Sequence, residues 1–409
     1  MSLFIIDANH IKILQFQPVF SRYYYMLMMP HNSPNIDKWL RLIRCEGIGP
    51  KAFKRLLEHF GSVDKALGAS AAQLARIERI GSRGAERIAV SRDKFDVDAE
   101  LELAGKLGIW LINLEDARYP TLLKRICDPP PVLYINGTLD KSDSLAVAIV
   151  GSRRCSTYGR EQTSRFAHIL AAAGFTIVSG MARGIDTAAH HGALSADGRT
   201  IAVQGCGLAK VFPPENEKLF KLITKSGACI SELPLTYEPL SENFPPRNRI
   251  IAGLSLATIV VEAANRSGAL ITANAALEYN REVMAVPGKI DSPLSKGSHQ
   301  LLKQGARLIE SVEDIMEALG YIGDQLKEHT ASAEQQAEQK IQIKTVPVTK
   351  LKLTRDEKHI YECLNNDAAH IEQLIAMASK PAGQVSSALV SLQLKGLVKQ
   401  LPGSFFQKR

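Results

Sequence analysis

Residues 146–154 read AVAIVGSRR, residues 176–184 read TIVSGMARG and residues 258–268 read TIVVEAANRSG. Each is an apolar, β-branched run ending in a short turn that combines glycine with arginine. Unbroken apolar runs of this length suit strands buried on both faces, the pattern of a parallel sheet covered by helices. Glycine at a strand end lets the backbone approach an anion closely, and a helix starting just beyond aims free N–H groups at it. With Arg153, Arg183 and Arg266 in the same turns, the three strand ends predict a site for several phosphates side by side.

Working outward, strand-like runs alternate with helix-length segments from Ser144 to about Leu319. Strands are expected at AVAIV (146–150), FTIVS (175–179), TIAVQ (200–204), ACISE (228–232), ATIVVE (257–262) and EVMAV (282–286), with helices near 157–173, 185–196, 215–226, 244–253, 268–279 and 298–304. This is the βαβ order of an α/β fold, a Rossmann-like doubly wound parallel sheet that binds ligands at the carboxyl ends of its strands. The first turn, GSRRCSTYG, is not a G-x-G-x-x-G fingerprint, and no acidic residue stands where a ribose 2′-hydroxyl would need one. A G-x-x-x-x-G-K-[ST] loop is also missing from the sequence, which speaks against a nicotinamide enzyme and a P-loop ATPase, and no other cofactor is indicated. What the edge offers instead is broad: Gly151, Ser152 and Arg153; Gly180, Arg183 and Gly184; Arg247, Asn248 and Arg249 in FPPRNRI; and Arg266, Ser267 and Gly268. That breadth suits a nucleic-acid strand better than a mononucleotide.

On the N-terminal side, residues 35 to 98 have a helical, short-looped pattern with two glycine hairpins, EGIGPKA (46–52) and RIGSRGAE (79–86). Such hairpins expose N–H groups to a DNA phosphate, or simply provide tight turns in a small helical domain. Residues 99 to 145 contain a helix, the strand IWLIN, a triple proline and the strand VLYING, a connector expected to dock on the edge of the main domain that runs to 321. Residues 322–353 are Gln/Glu/Lys-rich and read as a linker. Residues 354–409 hold three amphipathic helices and a short ribbon around Pro402–Gly403, a winged-helix layout whose third helix carries Lys395 as its one charge. Residues 1–34 are apolar and aromatic, but Asp7, His10, Lys12 and Arg22 interrupt them without a cleavage site, so a poorly ordered extension is expected rather than a signal peptide.

Composition agrees with a soluble protein of several domains: 409 residues, 45% hydrophobic and 22% charged, with no run long enough to span a membrane. The net charge of +8 favours a polyanionic partner. Six scattered cysteines with no C-x-x-C pair argue against structural zinc and disulfides and for a reducing cytoplasm. Asp186 and Glu262 are the acids beside the glycine turns. Their expected work is capping helix N-termini or pairing with arginine, with acid/base chemistry as the alternative. His190 and His191, adjacent and so divergent, do not make a metal site.

The runs SGMARGIDTAAHHGAL, FPPRNRIIAGLS and ATIVVEAANRSGALITANAALEYNREVMAVPG, with the GSR turn, closely resemble the DNA-processing protein A family (DprA, also called Smf). The resemblance spans Asn35 to Arg409. It implies a cytoplasmic, non-enzymatic, dimeric protein that binds single-stranded DNA during natural transformation, protects it and helps load the recombinase RecA. Carried over by position, the family's DNA-contacting loop falls on Gly151, Ser152 and Arg153, and its basic pocket on Arg183, Arg247, Arg249 and Arg266. Arg199 stands where a lysine of that pocket often occurs. The rival reading is a nucleotide-cleaving or nucleotide-modifying enzyme on the same sheet, with Glu262 activating water.

Overall fold

The computed structural model describes residues 31–320, 353–364, 368–395, 397–401 and 404–408, with the backbone of Ile6–Asp7 and His10–Ile11. Most of the expected extension, up to residue 30, and the expected linker 322–352 lie outside the described residues. Two compact units divide between Glu334 and Gln335.

The first unit opens with helices α1 (Ile36–Ile43), α2 (Pro50–Phe60), α3 (Val63–Gly68), α4 (Ala71–Leu74), α5 (Gly81–Ser91) and α6 (Val97–Lys106). Glycines bound α2: Gly49 of the first hairpin precedes Pro50 at its start, and Gly61, at φ +77°, ends it. Leu40, Phe53 and Leu56 are fully buried, and each contributes about 1.5–3 kcal/mol by leaving water.

A nine-stranded sheet follows. Its strands are β1 (Ile109–Asn113), β2 (Val132–Gly137), β3 (Ala146–Val150), β4 (Thr176–Ser179), β5 (Thr200–Val203), β6 (Ala228–Ser231), β7 (Ala257–Val260), β8 (Glu282–Ala285) and β9 (Arg307–Leu308). The spatial order is β9-β8-β7-β3-β4-β5-β6-β2-β1. From β9 to β6 all pairings are parallel, as the alternation of strands and helices requires. The connector strands β2 and β1 extend it in antiparallel fashion, so the sheet is mixed rather than purely parallel. Short β9 was not expected from the sequence. The crossover helices are α7 (Thr157–Ala172), α8 (Ile185–Ser195), α9 (Glu217–Ser226), α10 (Phe244–Leu254), α11 (Gly268–Glu278) and α12 (Lys296–Lys303), and α13 (Val312–Ala318) follows the last strand.

Alternation along the strands feeds two cores. Ile109, Leu111, Val132, Tyr134 and Cys229 face a core shared with α1 and α2, whereas Trp110, Ile112, Leu133, Ile135 and Ile230 face one shared with α10 and α11. The helical segment 35–98 packs on one face of the sheet within the same compact unit. Residues just before this segment are tied to the sheet. The Ser33 N–H donates to the Leu111 carbonyl at 2.9 Å and the Asn32 side chain accepts the Leu111 N–H at 2.8 Å, which covers the exposed edge of β1.

The second unit holds α14 (Arg355–Cys363), α15 (Ile371–Ala378) and α16 (Ala382–Leu394) against a small sheet of β10 (Ala369–His370), β11 (Val398–Leu401) and β12 (Phe405–Lys408), a winged helix. Ile360, Leu374, Leu389 and Phe406 form its core. Lys395 is drawn inward onto Glu357 at 2.6 Å, which holds that carboxyl down at about 2. Among the described residues, no helix is long and apolar enough to cross a membrane.

Candidate nucleic-acid interface

Strands β3 to β6 succeed one another in one direction, and the chain then returns to place β7 on the other side of β3. The crevice between the carboxyl ends of β3 and β7 is therefore the topological switch point, the usual ligand position in such sheets. A cavity of about 420 Å³ opens there, lined among others by Gly151, Ser152, Arg153, Asp186, Phe244, Arg247, Asn248, Ser267, Gly268 and Thr272.

The first turn is fixed by close packing. A Cβ at Gly151 would lie 2.6 Å from Ile185 Cγ1, and the Ser152 N–H donates to the Glu262 carbonyl at 2.7 Å. The second turn rests directly on it: Gly184 has φ +76°, and any side chain there would overlap the Ser152 carbonyl. Arg153 projects outward with its guanidinium 5.3 Å from the centroid of the Phe244 ring. Arg153, Arg154 and Arg266 are exposed and form no ion pair among the described residues, so their charges are available to a ligand. Ser267 caps α11 by accepting the Ala269 N–H at 3.3 Å, and the Asn248 amide donates to the Gly268 carbonyl at 3.1 Å. The start of α11 is thus tied to α10.

Buried charge holds the turns in place. Asp186 accepts the N–H groups of Gly180 at 3.2 Å and Ala182 at 3.3 Å, so it organises the second turn rather than capping the helix beyond it. Burial pushes its pKa up, against the pull of Arg247. Arg247 donates to the Gly180 carbonyl at 2.7 Å and to the Val203 carbonyl, bridging the ends of β4 and β5. Burial lowers its pKa to about 10, with Asp186 opposing. Expected as a phosphate ligand, Arg247 lines the cleft but spends most of its hydrogen bonds on the scaffold.

Other expected residues are placed elsewhere. Arg199 stands before β5, at the amino edge of the sheet and away from the cleft. It grips Asp143 through two bonds of 2.9 Å and donates to the Ser226 and Thr138 carbonyls. Arg249 is one position further round α10 than the cleft-lining Asn248 and turns to the other side, onto Glu232 and the Asp128 carbonyl, at 2.6 Å for the latter. There it lines a second cavity of about 600 Å³ walled by the first glycine hairpin, with Ile48, Gly49, Pro50 and Lys51. Arg183 is exposed on the rim and paired with Glu215. Of the two acids, Glu262 is buried and bonded to Ser156, a geometry that holds the loop. His190 is buried, with Nδ1 on Thr200 Oγ1 at 2.7 Å and Nε2 without a hydrogen-bond partner among the described residues.

Sequence reasoning missed Phe244 and Arg154. An aromatic residue immediately before the Pro-Pro of FPPRN was the available indication of a ring at the head of α10, and Arg154 is simply the second arginine of the exposed apex.

The geometry defines a class: a Rossmann-like sheet protein with arginines in place of a dinucleotide fingerprint at its switch point, and with helical and winged-helix modules in the same chain. Comparison with known proteins makes this specific. The chain belongs to the DNA recombination-mediator protein A family, whose model matches residues 110–320. The models of the DprA-like N-terminal HHH domain and the DprA winged helix domain match residues 36–90 and 346–404. The chain is 36% identical to Protein Smf of Synechocystis sp., over 91% of this chain and 98% of that one. It is 42% identical to DNA processing protein DprA of Bacillus subtilis, over 52% of this chain and 72% of that one. The X-ray structure of DNA processing protein A from Streptococcus pneumoniae superposes with a TM-score of 0.62 at 36% identity, covering 69% of this chain and 97% of that one.

Proposed function

We propose that this protein binds single-stranded DNA without sequence preference, with the strand's phosphates held on the rim of the switch-point cleft. One observation carries the reading. Three exposed arginines form no ion pair among the described residues: Arg153 lines a glycine-lined crevice with Phe244 beside it as a surface for a base, and Arg154 and Arg266 stand on the turns that flank it. Gly151, Ser152, Ser267 and Gly268 supply the close backbone approach, Gly180, Gly184, Arg247 and Asn248 the frame, and Arg183 a further charge once it leaves Glu215. In the cell the protein would act in the cytoplasm as a homodimer, shield DNA taken up in natural transformation and help load RecA for recombination. No covalent step is assigned to it, since both acids beside the cleft are engaged in hydrogen bonds to the fold.

Hydrogen exchange of the intact chain with and without a single-stranded oligonucleotide tests the placement. Protection should rise at residues 151–156, 180–184 and 266–269. Protection confined to the winged helix, with these turns unchanged, would move the binding site to the C-terminal unit.

A further inference from the structure

Sheets of this kind offer the N-terminus of the first crossover helix to a ligand phosphate. In this molecule that place is taken. Glu262, two residues beyond β7, lies beside the first turn because β7 is the neighbour of β3. Its carboxylate accepts the Ser156 N–H at 2.8 Å and the Ser156 hydroxyl at 2.6 Å. Ser156 is the N-cap of α7, a helix of 16 residues, and its Oγ also accepts the Gly159 N–H at 3.0 Å. A Cβ at position 159 would overlap the carboxylate, so glycine there lets Glu262 lie flush against the first turn of the helix. Glu262 is 5% exposed and forms no ion pair among the described residues.

A buried carboxylate without a cation is costly unless hydrogen bonds compensate it. Here the compensation is two charged hydrogen bonds and the positive end of a long helix, which is what such folds elsewhere provide for a phosphate. We propose that Glu262 is a built-in substitute for a ligand phosphate. It fills the anion hole at the start of α7, excludes free nucleotide phosphates from it, and leaves binding to the exposed arginines. The same residue holds both ends of the loop 152–156, Ser152 through its carbonyl and Ser156 through its carboxylate, so that Arg153 and Arg154 form the apex. Glu262 is thus a specificity-determining and positioning residue. A mononucleotide meets a like charge already satisfied, whereas a strand spreads its phosphates along the rim.

The test is chemical rescue of Glu262→Ala, which leaves the Ser156 donors facing an empty hole. Its Tm is compared in formate, inorganic phosphate and chloride at equal ionic strength, beside the native protein and Glu262→Gln. Tens of millimolar formate should raise the Tm of the alanine variant by several degrees and leave that of the other two unchanged, and phosphate should stabilise the alanine variant more than the native chain. The last arm alone rests on the strand-binding reading: single-stranded DNA affinity of the alanine variant should fall roughly ten-fold and recover in formate. An alanine variant that formate does not stabilise overturns the proposal. If that chain is too unstable to purify, its refolding yield in the three salts decides, and equal yields overturn it. Failure of the native protein to bind DNA would instead overturn the strand-binding reading and leave the formate arm standing.

Discussion

Arg153 is the residue on which the electrostatic reading can be measured most cleanly. Its side chain is exposed, it forms no ion pair among the described residues, and its guanidinium lies over the face of Phe244 at 5.3 Å. Arg153→Ala should therefore cost about 0.5–1 kcal/mol of stability at most. Its effect on binding should be larger. Removing one arginine–phosphate contact lowers affinity roughly ten-fold, the lower end for a charged hydrogen bond at an accessible site. For a single strand, each phosphate neutralised adds about 0.7 to the slope of log K against log salt. Raising salt from about 50 to about 200 mM should then weaken the native protein about 2.6-fold more than the variant, whatever the sequence of the oligonucleotide. Fluorescence anisotropy at several salt concentrations measures both quantities. An unchanged slope and an unchanged affinity in a folded variant would refute the placement of phosphate at this turn.

Arg199→Ala should do the opposite, leaving the salt slope unchanged while lowering stability by about 1–3 kcal/mol in thermal unfolding, since Asp143 loses a paired partner. Gly184→Ala should destabilise by about 2 kcal/mol or more, because alanine must take a φ of +76° and overlap the Ser152 carbonyl; binding should fall with it, read as lower Tm and weaker anisotropy. His190 gives the fold an acid sensitivity. Burial, then His191 and Arg247, lower its pKa from 6.5 to about 3, so between these values the unfolded chain binds a proton that the folded chain does not. Stability from this residue is complete above pH 6.5 and falls as pH drops, by about 2 kcal/mol at pH 5. His190→Gln should flatten that part of the denaturant-measured stability profile; an unaltered profile would place the acid sensitivity elsewhere.

The strand ends were legible because burial on both faces writes itself as an unbroken apolar run, and because glycine at a crowded turn has few substitutes. Gly151 and Gly184 were found for that reason, and the structure shows the contacts that demand them. Arginine is harder to read. A long side chain on the right segment does not reveal its direction, and consecutive helix positions point about 100° apart. Hence Arg247 and Asn248 reach the cleft while Arg249 turns away. Arg199 was misplaced although its position held the answer: it precedes a strand, and in a parallel sheet such residues lie on the edge opposite the strand ends. The packing of residues 32 and 33 on β1 had no sequence pattern to announce it, because it consists of single hydrogen bonds with polar residues.

Equilibrium binding of the intact chain to single-stranded oligonucleotides of contrasting base composition, in competition with duplex of the same sequence, tests the central claim most directly. Affinity for single strands that varies little with sequence, weakens steeply with salt and exceeds that for duplex is the predicted result. Equal or tighter binding to duplex, or binding that salt does not weaken, would contradict a strand held by its phosphates at the arginine rim of the switch point.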